Sequence, residues 1–116
     1  MPDSIQEAMV GVGIPNPHGL AVFTEGDELW IGRFGVGISG HWHIAANAHL
    51  SHLIISHRTH SQNLIYRAEV MGIFPSPPDP PDRYSVVFRN ATLLGMTAND
   101  WTGFAGPGQN PVRYWS

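Results

Sequence analysis

Leu64-Ile65-Tyr66-Arg67-Ala68-Glu69-Val70-Met71-Gly72-Ile73-Phe74 is the stretch that decides the fold class. In an extended chain successive side chains point to opposite faces. Leu64, Tyr66, Ala68, Val70 and Phe74 then share one face, while Arg67 and Glu69 take the other. Upstream, Leu53-Ile54-Ile55 reads as a second strand, joined to the first through the polar loop His57 to Gln62. Downstream, Arg83 to Leu94 reads as a third. Pro75 to Asp82 carries five prolines in eight residues, a stiff exposed connector through which neither strand nor helix can run.

The remaining segments fill in around these strands. Leu20 to Thr24 and Leu29 to Phe34 are β-prone runs separated by Glu25-Gly26-Asp27-Glu28, which predicts a hairpin. Gly32, Gly35, Gly37 and Gly40 then mark bulges or close backbone approach. Ser4 and Glu7 match a capping box, so a short helix is expected over 4–10, stopped by Gly11 and Gly13. Ala45 to Leu53 reads as a short helix feeding a strand, Asn99 to Gly103 as loop, and Pro111 to Trp115 as a closing strand. The expected architecture is mainly β: one domain over 1–116 with its β core over 20–115. Five to seven short strands and one or two short helices form a small, partly open β-barrel.

Composition narrows the function classes. The 116 residues are 42% hydrophobic and only 13% charged, which argues against disorder and leaves a neutral surface of the kind a partner covers. Cysteine is absent, so disulfides, thiolate catalysis and cysteine-containing zinc sites are excluded. The N-terminal segment lacks the basic and apolar regions of a signal peptide, and no apolar run is long enough to span a membrane. A cytoplasmic location follows as the default expectation. All six basic residues are arginine and the formal net charge is −3. Non-specific nucleic-acid binding depends on neutralising many phosphates. Any nucleic-acid contact made by this chain is therefore local rather than spread along a backbone.

Seven histidines stand out, six of them between His41 and His60. His41 and His43, at i and i+2, share one face of a strand and can reach one metal together with His49 or His52. Ligating histidines need a carboxylate or carbonyl to orient them, and there is no acidic residue between Glu28 and Glu69. No cofactor is therefore expected, and the histidine set stands as the alternative. Ser51 beside His52 and Ser56 beside His57 are uninformative, because sequence neighbours rarely form a catalytic triad. Among the four tryptophans, Trp30 lies inside a strand and is expected in the core. Trp42 and Trp101 lie in loop-like sequence, where aromatics serve base stacking.

The order of elements from residue 20 to 115 resembles the PUA-like superfamily, in particular its EVE and YTH-type members. His52 to His57 followed by Leu64 to Ile73 is similar to the family's central strand pair, and Arg83 to Phe88 to the strand after it. Arg67 and Glu69 stand where that strand often carries glycines. The resemblance implies a small barrel that recognises a modified or flipped-out base in an aromatic cage, often as the reading module of a larger restriction or RNA-processing protein. Such a pocket needs stacking surfaces and a few donors rather than a broad basic face. On this reading Trp42 and Trp101 stack, Ser39, His43 or Asn47 read the base edge, and Arg58 and Arg67 contact phosphates of DNA or RNA. Two other readings stand beside it. One is a metal-binding protein or metalloenzyme using His41, His43, His49 and His52. The other is an interaction domain, a homodimer or part of a larger assembly, with Trp115 or the Pro75–Pro81 loop in the interface.

Overall fold

The computed structural model describes residues 2–13, 18–25, 29–44, 50–60, 62–76 and 83–115. Of these, 56% lie in strands and 13% in helices. The strands in chain order are β1 (Gly19–Thr24), β2 (Leu29–Ile31), β3 (Gly37–Trp42), β4 (His52–Arg58), β5 (Asn63–Pro75), β6 (Tyr84–Thr97) and β7 (Val112–Trp115). Helix α1 (Ile5–Ala8) precedes the sheet and α2 (Trp101–Ala105) lies between β6 and β7, with a 3-10 turn at Arg33–Gly35. The seven strands form one sheet in the order β2-β3-β6-β5-β4-β1-β7. It is not closed into a barrel, and β2 and β7 are its two edges.

The expected hairpin between the first two strands does not form. β1 pairs parallel with β4 and antiparallel with β7, whereas β2 pairs only with β3 at the far edge. Leu20, Ala21 and Val22 are fully buried. A continuous apolar run of this kind needs cover on both faces, which a strand inside the sheet receives and an edge hairpin does not. Gly19 admits this docking. A Cβ there would collide with the His52 carbonyl and lie 2.7 Å from the Trp115 ring.

Two cores lie on opposite faces of the sheet. The larger gathers Leu20, Val22, Trp42, Ile44, Leu53, Ile55, Ala68, Val86, Phe88 and Val112, with members from β1 and β3 to β7, so the sheet curls around it. The smaller packs Ala21, Ile54 and Ile65 beneath Ile5 and Ala8 of α1 and Trp101 and Phe104 of α2. The alternation read from β5 holds through Tyr66, Ala68 and Val70, which meet the larger core. It then breaks, because Met71 is an extra residue between the pairs Val70–Phe88 and Gly72–Val87. One inserted residue reverses every side chain beyond it. Ile73 therefore faces the core, and Phe74 turns to the opposite face, where it is 54% exposed.

Helix α1 begins with half of the expected capping box: Ser4 Oγ accepts the Glu7 N–H at 3.1 Å, while Glu7 Oε2 accepts the N–H of Asp3, one residue before the cap, at 3.0 Å. It ends at Ala8, short of the expected residue 10. β5 runs through Pro75, one residue into the expected connector. The rest of the proline-rich loop beyond Ser76, and the helix expected over residues 45–49, lie outside the described residues.

Candidate nucleic-acid interface

The residues assigned to a base site by sequence are dispersed. Trp42 is not in a loop. It is the last residue of β3, 5% exposed in the larger core, and its indole N–H donates to Ser39 Oγ at 3.0 Å. A register shift between Ser39 and Trp42 turns both inward. Trp101 begins α2 rather than occupying a loop, and is buried in the smaller core with its N–H on the Asn110 carbonyl. Neither ring offers a free face for stacking. His43 is exposed just beyond β3 and Arg58 is exposed at the end of β4. Asn47 lies outside the described residues. Arg67 is not held out for phosphate: its Nη1 donates to the Ala8 and Val10 carbonyls at 2.9 and 3.0 Å, closing the end of α1.

The histidine set is dispersed as well. His41 on β3 and His43 just past its end flank the inward Trp42 and are exposed, His52 lines a cleft on β4, separated from β3 by β6 and β5, and His49 lies outside the described residues. Among the described residues no three histidines or carboxylates stand close enough to hold a metal.

The face of the sheet that carries α1 and α2 is covered over β4, β1 and β7 and over the adjoining end of β5, where Ile65 is fully buried. The half built from β2, β3 and the opposite ends of β5 and β6 stays open. Across this open half, register aligns Trp30 with Ile38, Ile38 with Val87, and Val87 with Gly72. Trp30, expected in the core, is 61% exposed here. Its six-membered ring lies over Gly32, where a Cβ would collide with it. Phe74 repeats the arrangement: a Cβ on Gly72 would stand 2.9 Å from the ring carbon Cε2. Each side chain thus has one edge of its ring against a glycine and is more than half exposed. On the 3-10 turn that follows β2, Phe34 is 91% exposed at φ 63, a conformation that non-glycine residues adopt at some energetic expense. Arg33 is exposed next to it, and the Arg89 side chain, on the face of Val87, is 59% exposed.

Where this face meets α1 lies a cleft of about 520 Å³, lined by Val12, Gly13, Ser51, His52, Arg67 and Glu69 together with Asn90 and Thr92. That volume lies in the usual range of small-molecule sites. His52 and Glu69 stand directly opposite each other on β4 and β5. Glu69 is held in place by the Asn90 amide, which donates to Oε2 at 2.9 Å, and by Arg89 Nε at 3.4 Å from Oε1. The Asn90 bond holds the Glu69 carboxyl below the usual carboxylate range, against a small burial penalty and with help from Arg89.

A chain of hydrogen bonds fixes the tautomer of His52. Ser51 Oγ donates its one proton to the His18 carbonyl at 2.6 Å and accepts the His18 N–H at 3.1 Å. Its 3.0 Å contact with His52 Nδ1 therefore requires Nδ1 to carry the proton. Nε2 is left with a lone pair, and burial pushes the imidazole below its ordinary pKa, Glu69 opposing and Arg67 reinforcing. The Ser51 hydroxyl is fully committed by these bonds. The cleft is thus equipped to accept and donate hydrogen bonds, and its serine is not poised as a nucleophile.

Compared with protein-family models, curated proteins and solved structures, the chain matches none. Sequence reasoning missed the two exposed rings, although a signal was present: Trp30-Ile31-Gly32 and Gly72-Ile73-Phe74 each set an aromatic two positions from a glycine, on one strand face. It missed the cleft because the pairing of His52 with Glu69 depends on strand register.

Proposed function

We propose that this chain is a nucleic-acid-binding module that takes single-stranded bases on the open half of its sheet, one stacking on Trp30 and one on Phe74. The observation that carries this reading is the pair of exposed rings, Trp30 and Phe74, on one open face of the sheet, each with its edge against a glycine, Gly32 and Gly72. Stacking on a rigid aromatic is worth about 1–3 kcal/mol per base and tolerates any base. Sheet-borne aromatics are a recurring solution for unpaired strands. Arg33 and Arg89 supply cations beside the rings, suited to bidentate phosphate contact. With so few cations, affinity depends on stacking more than on counterion release.

The test is fluorescence anisotropy of a labelled oligo(dT) at low and moderate salt. Binding with a shallow salt slope is expected, weakened by Trp30→Ala and by Phe74→Ala without loss of fold. The reading fails if no oligonucleotide binds at low salt, or if neither substitution alters affinity. A protein that binds no oligonucleotide but sediments as a dimer, dissociated by Trp30→Ala, would make this face a subunit contact instead.

A further inference from the structure

We infer that the cleft beside the stacking face selects the base it receives, accepting an amino-bearing base edge and rejecting thymine or uracil. This rests on the proposed function, since it assigns a specificity element to the same surface. Glu69 lies on the face of Gly72 and Arg89, so a strand crossing the rings reaches the cleft without leaving that face.

The groups that line the cleft are mostly acceptors. Glu69 engages one lone pair of each oxygen with Asn90 and Arg89 and keeps the others for a ligand. Asn90 donates its amide nitrogen to Glu69, which leaves its Oδ1 as a further acceptor. His52 Nε2 presents a lone pair because Ser51 holds the proton on Nδ1. Opposite these, Arg67 spends only Nη1 on the α1 carbonyls and keeps Nε and Nη2 as donors. Val12, Gly13 and Val70 supply apolar walls for a planar ring.

An exocyclic amine with its neighbouring ring nitrogen or carbonyl matches this set. Cytosine and guanine each pair an N–H donor with a carbonyl for the free Arg67 donors, and adenine pairs its amine with an accepting ring nitrogen. Thymine and uracil present two carbonyls around a single N–H. Their carbonyls would face the Glu69 carboxylate and the His52 lone pair, acceptor against acceptor, a mismatch of the kind by which polar sites reject near-isosteres.

The experiment compares four short thymidine oligonucleotides that differ only at a central position: dT, dC, dA or dG. Wild-type protein is expected to favour the amino-bearing centres by about tenfold, the scale of one good hydrogen-bonded base contact. Glu69→Gln is expected to bring the ratio towards one. Equal affinity for all four, or a preference that survives Glu69→Gln, overturns the selective cleft and leaves the stacking reading intact. Titration with free cytidine, followed by NMR of the His52 ring, separates the two further. If no oligonucleotide binds but cytidine shifts the His52 resonances in wild type and not in Glu69→Gln, the stacking reading falls and the cleft stands. If neither binds, both fall.

Discussion

Trp42 and Ser39 close a polar pair inside the larger core: the indole N–H reaches the serine hydroxyl at 3.0 Å, with the serine wholly buried and the ring nearly so. Trp42→Ala should therefore lower stability by about 3–5 kcal/mol, the usual loss for truncating a core aromatic. Trp42→Phe keeps most of the packing but strands the serine oxygen, for about 1–3 kcal/mol. Urea denaturation of both variants checks this. A Trp42→Ala protein as stable as the parent would mean that the ring is not in the core.

Acidification should weaken the fold partly through His52. Its folded pKa lies below the ordinary 6.5, because burial disfavours the charged ring. As pH falls below that value the unfolded chain takes up a proton that the folded imidazole resists. Stability present above 6.5 is then lost as pH falls through the folded pKa. Urea midpoints at about pH 7.5 and pH 5.5 should fall less in His52→Gln than in the parent. An equal fall in both would exclude His52 as a contributor.

Arg113 should be irreplaceable by lysine. Its guanidinium donates to the carbonyls of Asn110, Ala105, Gly106 and Gly108 at 2.9, 3.4, 3.3 and 2.7 Å, and lies 5.7 Å from the centroid of the Trp101 ring. A single ammonium cannot span that set. Arg113→Lys is expected to cost about 2 kcal/mol and to loosen α2, visible as a fall in the urea midpoint. A variant indistinguishable from the parent would show the fork to be dispensable.

Chelation should leave thermal stability unchanged, since anything bound only to the native state raises Tm by mass action and its removal lowers it. A fall in Tm on adding a chelator, restored by zinc, would return His41, His43 and His52 to consideration.

The mainly β class was legible because alternation in β5 is a local property, and the α1 cap because its partners are three residues apart. What lay beyond reading was set by strands distant in sequence. The continuous apolar run Leu20-Ala21-Val22 marks a strand covered on both faces, but nothing in it names β4 and β7 as its neighbours, and nothing in Leu29–Phe34 makes β2 an edge. The two tryptophans of this region were inverted for the same reason: the irregularity between Ser39 and Trp42 turns a loop-like residue inward, and the open edge leaves Trp30 uncovered. α2 was missed because it is only five residues long with a glycine inside, although Asp100 capping the Gly103 N–H at 2.8 Å was a signal in the sequence.

The placement of β1 also constrains how the chain acquires its structure. Gly19–Thr24 finds no ladder partner until β4 exists, and its second edge stays open until β7 arrives. Every hydrogen bond it makes in the sheet closes a long loop, which slows folding into the millisecond-to-second range typical of non-local β topologies. Until then Leu-Ala-Val-Phe is an unpaired apolar segment, the kind that seeds association between chains. During synthesis, the interval between the emergence of β1 and that of β7 is when this protein is most exposed to aggregation and to capture by chaperones.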